Sequence, residues 1–323
     1  MKFDVVISKS ILSRILIFYV LLNLFHPGYL IAQEPNLDPL IHALEVDSTC
    51  GVCTSGYHLE GSPYDLSFKK EWPFLLGSAA ILSAGILANT FLAPGPLNEQ
   101  ELADLDKNDI FFIDRPFADS YAPSAAKASD FLRSTITILP LFFLSNHSTR
   151  KDIGPLVVMS AEVVAVTFGL TQFTKNVVGR PRPFTYNDDV DLEIRTKDGN
   201  RLSYFSGHTS YTAALSFFFA KVMTDYHPHA KKGFKRALWI SAVAIPAIAA
   251  SLRVASGRHF PTDVLTGYAV GALVGYYIPE LHKKKSQNLS MVPFFYDGGM
   301  GMSFTLKLNG TKPLLGKFRS QAK

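Results

Sequence analysis

The stretch "IGPLVVMSAEVVAVTFGLTQF", residues 153–173, holds 21 residues with a single charged side chain, Glu162. A helix needs about 20 mostly apolar residues to cross the hydrocarbon core of a bilayer. This run has that length, and "PFLLGSAAILSAGILANTFLAP" (73–94) has it too. Four shorter runs share the character: "FLRSTITILPLFFLS" (131–145), "TSYTAALSFFFAKVM" (209–223), "ALWISAVAIPAIAASL" (237–252) and "VLTGYAVGALVGYYI" (264–278). Each short run alone could be a buried helix of a soluble protein. Their flanks decide the matter. "STRK" (148–151), "KKGFKR" (231–236) and "HKKK" (282–285) each stand beside an apolar run, as basic clusters do at the cytoplasmic ends of membrane helices. The sequence therefore predicts an all-α, membrane-embedded bundle of about six helices. The Gly and Ala of 264–278 suit close helix packing.

Composition agrees. Of 323 residues, 47% are hydrophobic and 18% charged, and the net charge is +5. Soluble domains carry about 25% charged residues. No basic face interleaved with aromatics marks a nucleic-acid partner.

The ends divide the chain further. Lys2, Lys9 and Arg14 precede "ILIFYVLLNLF", and Ala32 offers a cleavage point, so 1–32 reads as a signal peptide or signal anchor. A polar segment, 33–72, follows. The helical domain covers 73–285, and 286–323 forms a C-terminal hairpin and tail, because "DGGMG" separates two apolar-rich runs. Cys50 and Cys53 in "CGVC" read as a local disulfide or as incidental residues, since no βαβ context supports a redox motif. By the positive-inside rule the basic loops are cytoplasmic, so the opposite end of the bundle faces the periplasm or exterior. That rule also puts Lys69 and Lys70 inside, whereas a cleaved signal would leave 33–70 outside. The three basic loops weigh more than the signal reading. A secreted globule would remove the conflict.

Polar groups gather at the end opposite the basic loops. "KNVVGRPRP" (175–183) ends the third run and "FSGHTS" (205–210) opens the fourth. Arg253 ends the fifth, and "GRHFPTD" (257–263) leads into the sixth. Alternating helices bring all four to one side of the membrane. Lys175, Arg182 and Arg253 supply cations suited to phosphate oxygens. Ser206 and Gly207 stand at a helix start, where free N–H groups favour an anion. Of the two remaining histidines, His208 and His259, one can attack phosphorus while the other protonates the leaving oxygen. Asp263, four residues after His259, can accept its second N–H. Taken singly, each residue has a plainer role: a capping histidine, snorkelling cations, an acid favouring a helix N-terminus. The shared spacing is what argues otherwise. Arg180 and Arg258 could face substrate or not, His227 and His229 read as loop residues on the opposite face, and Glu162 reads as a helix-packing polar group.

These residues resemble the type 2 phosphatidic acid phosphatase superfamily, which includes bacterial acid phosphatases and vanadium haloperoxidases. Its first motif, Lys, six residues, Arg-Pro, matches Lys175 to Arg182-Pro183. Its second, Pro-Ser-Gly-His, matches at Ser206-Gly207-His208, with Phe205 in place of Pro. Its third, Ser-Arg, five residues, His, three residues, Asp, matches Arg253, His259 and Asp263, with Leu252 in place of Ser. The two departures bear on pocket shape. The resemblance implies that His259 is a nucleophile forming a phosphohistidine, Asp263 its orienting acid and His208 the general acid. Lys175, Arg182, Ser206, Gly207 and Arg253 would hold the phosphoryl oxygens. No metal or cofactor is implied. The expected function is hydrolysis of a lipid phosphate or pyrophosphate. The alternatives are a secreted phosphatase for soluble monoesters, a vanadate-dependent haloperoxidase and a non-enzymatic anion-binding or transport protein. Expected partners are the lipid substrate and membrane lipids. Oligomeric state is not legible.

Overall fold

The computed structural model describes residues 62–64, 68–284, 289–296 and 299–306. The expected leader (1–32), Cys50 and Cys53 lie outside them. Six helices of 15 residues or more carry the described part: α1 (Phe68–Phe91), α2 (Pro123–Thr137), α3 (Ile153–Val178), α4 (Gly207–Tyr226), α5 (Lys232–Ala255) and α6 (Pro261–His282). The expected bundle is thus present, but α1 begins at Phe68, inside the expected polar segment rather than at 73. The run 131–145 is not one helix. The α-helix stops at Thr137 and a 3₁₀ segment, Leu139–Leu144, continues it. Pro140 has no N–H to give a continuing α-helix.

Among the described residues, three stretches are long and apolar enough to cross a membrane: Glu71–Phe91, Ile153–Tyr186 and Lys232–Ala255, with mean hydropathy 1.7, 1.9 and 1.8. The molecule is a membrane protein, and its outer surface shows why. Leu76 and Phe91 on α1, Ile240 and Ile248 on α5, and Leu265 and Leu273 on α6 are exposed. Lipid satisfies such side chains as water cannot. Helix α4 is the centre instead, with 14 of its 20 residues buried.

Small residues let the helices close on that centre. Gly267, Gly271 and Gly275 form a stripe on α6 facing Ser206, which precedes α4, and Ser210 and Ala214 on α4. A Cβ at Gly271 would lie 2.0 Å from the Ser210 carbonyl oxygen. With no hydrophobic drive between helices in lipid, close packing of this kind holds them together. Helices α1 and α3 cross in the same way, at Gly85 and Gly169.

Contacts divide the chain at His282/Lys283. Beyond that point strands β1 (Leu289–Tyr296) and β2 (Gly299–Leu306) pair antiparallel, with Leu289 opposite Leu306 and Tyr296 opposite Gly299. This is the expected hairpin. Its turn residues, 297–298, lie outside the described residues.

Candidate active site

The starts of α4 and α6 and the ends of α3 and α5 meet at one end of the bundle. Ser206 caps α4, its hydroxyl accepting the Thr209 N–H. Its own N–H donates to the Asp263 carbonyl at 3.0 Å, which ties the two helix starts together. At Gly207 a Cβ would lie 3.2 Å from Thr171 Cγ2 and 3.9 Å from Lys175 Cε. The missing side chain lets the end of α3 pack tightly there.

The third motif is held by backbone geometry. The Arg253 carbonyl accepts the N–H groups of Arg258 (3.2 Å) and His259 (3.3 Å). Gly257, between them, has φ +67°, and a Cβ there would collide with the Ser120 carbonyl. Only glycine fits that turn. The turn delivers His259 into the interior, where it is 1% exposed.

His259 Nδ1 lies 2.7 Å from the Ser203 carbonyl oxygen. A carbonyl only accepts, so Nδ1 carries the proton and Nε2 keeps its lone pair. Burial pushes the imidazole well below its ordinary pKa, and the charges of Lys175, Arg253, Arg182 and His208 push the same way. The expected residues are therefore close enough to act on one another, and His259 is held neutral.

The expected hydrogen bond from His259 to Asp263 is absent. Nδ1 stands 3.8 Å from Asp263 Oδ2, because other donors have taken that carboxylate. Oδ2 accepts from Ser203 Oγ at 2.5 Å and from the Phe260 N–H at 2.8 Å, and Oδ1 accepts from Arg180 at 2.6 Å. Asp263 thus reaches His259 through Ser203, whose carbonyl receives the imidazole N–H. It also caps the first turn of α6, so the plainer reading of this acid holds as well.

His208 Nε2 lies 2.7 Å from Asp130 Oδ1. That contact draws the Asp130 carboxyl below its usual range, and Arg253 and Arg258 assist. The side chain of His208 is 19% exposed, so it stands nearer the mouth than His259.

The cations are anchored yet keep donors to spare. Lys175 Nζ donates to the Leu202 carbonyl (2.7 Å), Arg182 Nε to the Gly199 carbonyl (3.1 Å), and Arg253 Nη1 to Ser129 Oγ (3.1 Å). Arg253 Nε is buried with no hydrogen-bond partner among the described residues. A desolvated guanidinium N–H without an acceptor is costly, and a phosphate oxygen would satisfy it.

Arg180 turns away from the anion position. It pairs with Asp114 at 2.8 Å and with Asp263, and lies 4.1 Å over the Phe260 ring. Arg258 lies over the Phe184 ring at 5.1 Å. His227 is at the far end of α4, against Asn146 and the Met223 carbonyl. The sequence reading missed three partners: Ser203, Asp114 and Asp130. Asp130 is 78 residues from His208, so no local spacing flags it. The only available signal was a lone acid opening an apolar run.

Residues 156–287 match the family model of the PAP2 superfamily. A lipid A 4'-phosphatase of Porphyromonas gingivalis is 25% identical over 152 residues, which are 46% of this chain. The chain spans 59% of that relative's length. Among solved structures, a transmembrane PAP2-type phosphatidylglycerolphosphate phosphatase from Bacillus subtilis aligns with 68% of this chain and 97% of its own, at 19% identity and a TM-score of 0.39. All three motifs lie inside residues 156–287, the stretch that is similar to the PAP2 superfamily.

Proposed function

We propose that the protein is a membrane phosphatase that removes a phosphate from a lipid phosphate or pyrophosphate through a phosphohistidine. The observation that carries this is the unpartnered, buried Arg253 Nε beside a neutral, buried His259. One is a donor waiting for an anion and the other a lone pair waiting for an electrophile.

In the proposed reaction Lys175, Arg182, Arg253 and the N–H groups after Ser206 hold the phosphoryl oxygens. His259 Nε2 bonds to phosphorus as the bond to the leaving oxygen breaks. His208 gives that oxygen a proton; burial and the Arg253 charge press its pKa down, and Asp130 at 2.7 Å works against them, so the bound substrate's negative charge must complete the protonation. Water, deprotonated by His208, then attacks the phosphohistidine and releases phosphate and His259. Ser203 keeps the His259 Nδ1–H in place throughout, with Asp263 behind it. The transferring phosphoryl group needs positioning and charge stabilisation above all, and the cations supply both. Chemistry at His259 calls for no metal, because cations stand where a metal would need anionic ligands.

The apolar outer surface and the Porphyromonas gingivalis relative support a lipid substrate and make a lipid A phosphate the first to assay. The basic loops support a site facing the periplasm. Phosphate release by purified protein should survive EDTA and be inhibited by orthovanadate, which can become five-coordinate like the transferring group. Abolition by EDTA with rescue by Mg²⁺ would sink the mechanism. A soluble secreted phosphatase is the outcome if the protein extracts without detergent and prefers soluble esters. For sidedness, Asp189→Cys at the active-site end should react with an impermeant thiol reagent in intact cells, in a background with Cys50 and Cys53 replaced by Ser. Gly233→Cys, in a basic loop, should not. The reverse pattern places the site in the cytoplasm.

A further inference from the structure

Three titratable side chains that the proposed reaction does not use meet at the other end of the bundle. His282 closes α6, Glu71 lies in the first turn of α1, and Glu162 lies in α3. Glu162 is 13 residues from Lys175 along α3, about 20 Å at helical rise. His282 Nε2 lies 3.1 Å from Glu71 Oε2 and 3.2 Å from Glu162 Oε2. One ligand atom from each residue falls within 4.8 Å of the other two, and all three residues are buried.

We propose that Glu71, Glu162 and His282 form a binding site for one divalent cation of the Zn²⁺ type, which staples α1 to α3 and α6. Three independent features carry it. The first is spacing. Zn²⁺ binds His nitrogen and carboxylate oxygen at about 2.0–2.2 Å in tetrahedral geometry, which sets neighbouring ligand atoms roughly 3.3–3.5 Å apart. The two Nε2–Oε2 separations are within a few tenths of that edge. The second is the imidazole tautomer. His282 Nδ1 lies 2.7 Å from the Ile278 carbonyl oxygen, so Nδ1 donates and Nε2 turns toward the carboxylates. Metal-binding histidines are fixed by such an outer contact.

The third is an orphaned atom. Glu162 is 3% exposed, and its Oε1 has no hydrogen-bond partner among the described residues. A second carboxylate oxygen, fully desolvated and facing no donor, is free to complete a coordination shell. Phe74, with its ring 4.9 Å from that of His282, covers one side.

The site is separate from the phosphatase chemistry and does not depend on it. Full-length protein with Cys50 and Cys53 replaced by Ser, in detergent, is stripped with dipicolinate and titrated with Zn²⁺. One equivalent should bind and raise Tm. Co²⁺ in its place should show the d–d absorption of a low-coordinate site. Glu162→Gln and His282→Gln, each checked for monodispersity and helix content, should lose the Co²⁺ band and bind Zn²⁺ about tenfold or more weakly. Wild-type protein that takes up no Zn²⁺ overturns the proposal and leaves the cluster a proton-sharing contact. Undiminished binding by both variants also overturns it. If neither variant folds, the Co²⁺ spectrum of wild-type protein decides: one equivalent with the band of a low-coordinate nitrogen and oxygen site supports the proposal, and an octahedral spectrum overturns it.

Discussion

The bundle buries a histidine at each end, and the two differ in the sign of their neighbours. His259 is surrounded by Lys175, Arg182 and Arg253; His282 stands between Glu71 and Glu162. Each uses Nδ1 against a backbone carbonyl and leaves Nε2 for something else. The backbone contact is shared, so it does not decide the role. Neighbouring charge does. On the proposed reading, cations around a neutral imidazole suit an anion whose phosphorus the lone pair can attack, and carboxylates around the same group suit a cation. A buried histidine thus becomes informative once the charges within reach of it are known.

The contrast breaks most sharply at His259. His259→Ala should lower kcat/KM on lipid phosphate by about 10⁴-fold or more, the scale at which removing a nucleophile leaves only binding and electrostatics. Retained activity would make this histidine structural, like the plainer reading of His282. The next effect belongs to His208. His208→Ala should cost about 10²–10⁴-fold on a lipid substrate, whose alkoxide leaving group needs a proton. It should cost much less on p-nitrophenyl phosphate, whose leaving group needs little help. Equal losses on both, with chemistry rate-limiting, would remove the general-acid role.

Arg180 sharpens the comparison from behind the site. It bridges Asp114 and Asp263, both fully buried. Arg180→Gln leaves two buried carboxylates without their cation, a loss of about 3–5 kcal/mol for a broken buried pair. Tm should fall, and kcat should drop roughly 10–100-fold as His259 loses its alignment through Ser203. KM should move little, since Arg180 does not face the anion position. A rise in KM with unchanged kcat would put Arg180 in the substrate site instead.

The smallest effect is on pH dependence. Protonating His259 removes its lone pair, so activity falls as pH drops through its pKa. Burial and the nearby cations hold that pKa well below the ordinary value, so the acid limb of kcat/KM should have its midpoint below about 6.5. Lys175 is the largest charge contribution to that depression, and Lys175→Gln should move the midpoint upward. A midpoint that stays put, or moves down, would mean that another group controls the limb.

The helices were legible in the sequence because lipid imposes a length and a composition on each of them, and the basic flanks fixed which ends go together. Lys175, Arg182, Ser206, Arg253 and His259 were legible for the same reason: each sits at a helix end or entry turn, and topology gathers helix ends. The internal wiring was not legible. The i, i+4 spacing of His259 and Asp263 suggested a direct contact, yet Ser203 and the Phe260 N–H compete for the carboxylate and win. Asp114 and Asp130 come from loop and helix segments far upstream, brought in by tertiary packing that no local pattern announces. Glu162 and His282 each looked ordinary alone, and only the approach of α1 and α6 to α3 brings them together with Glu71.

The central claim is a covalent bond from phosphorus to His259, and trapping that bond tests it most directly. Purified protein is mixed with ³²P-labelled lipid phosphate and quenched within the first turnover. The account predicts label that is stable to alkali and labile to acid, mapped by peptide analysis to residue 259, and lost in His259→Ala. Label on another residue, or undiminished label in His259→Ala, would contradict it.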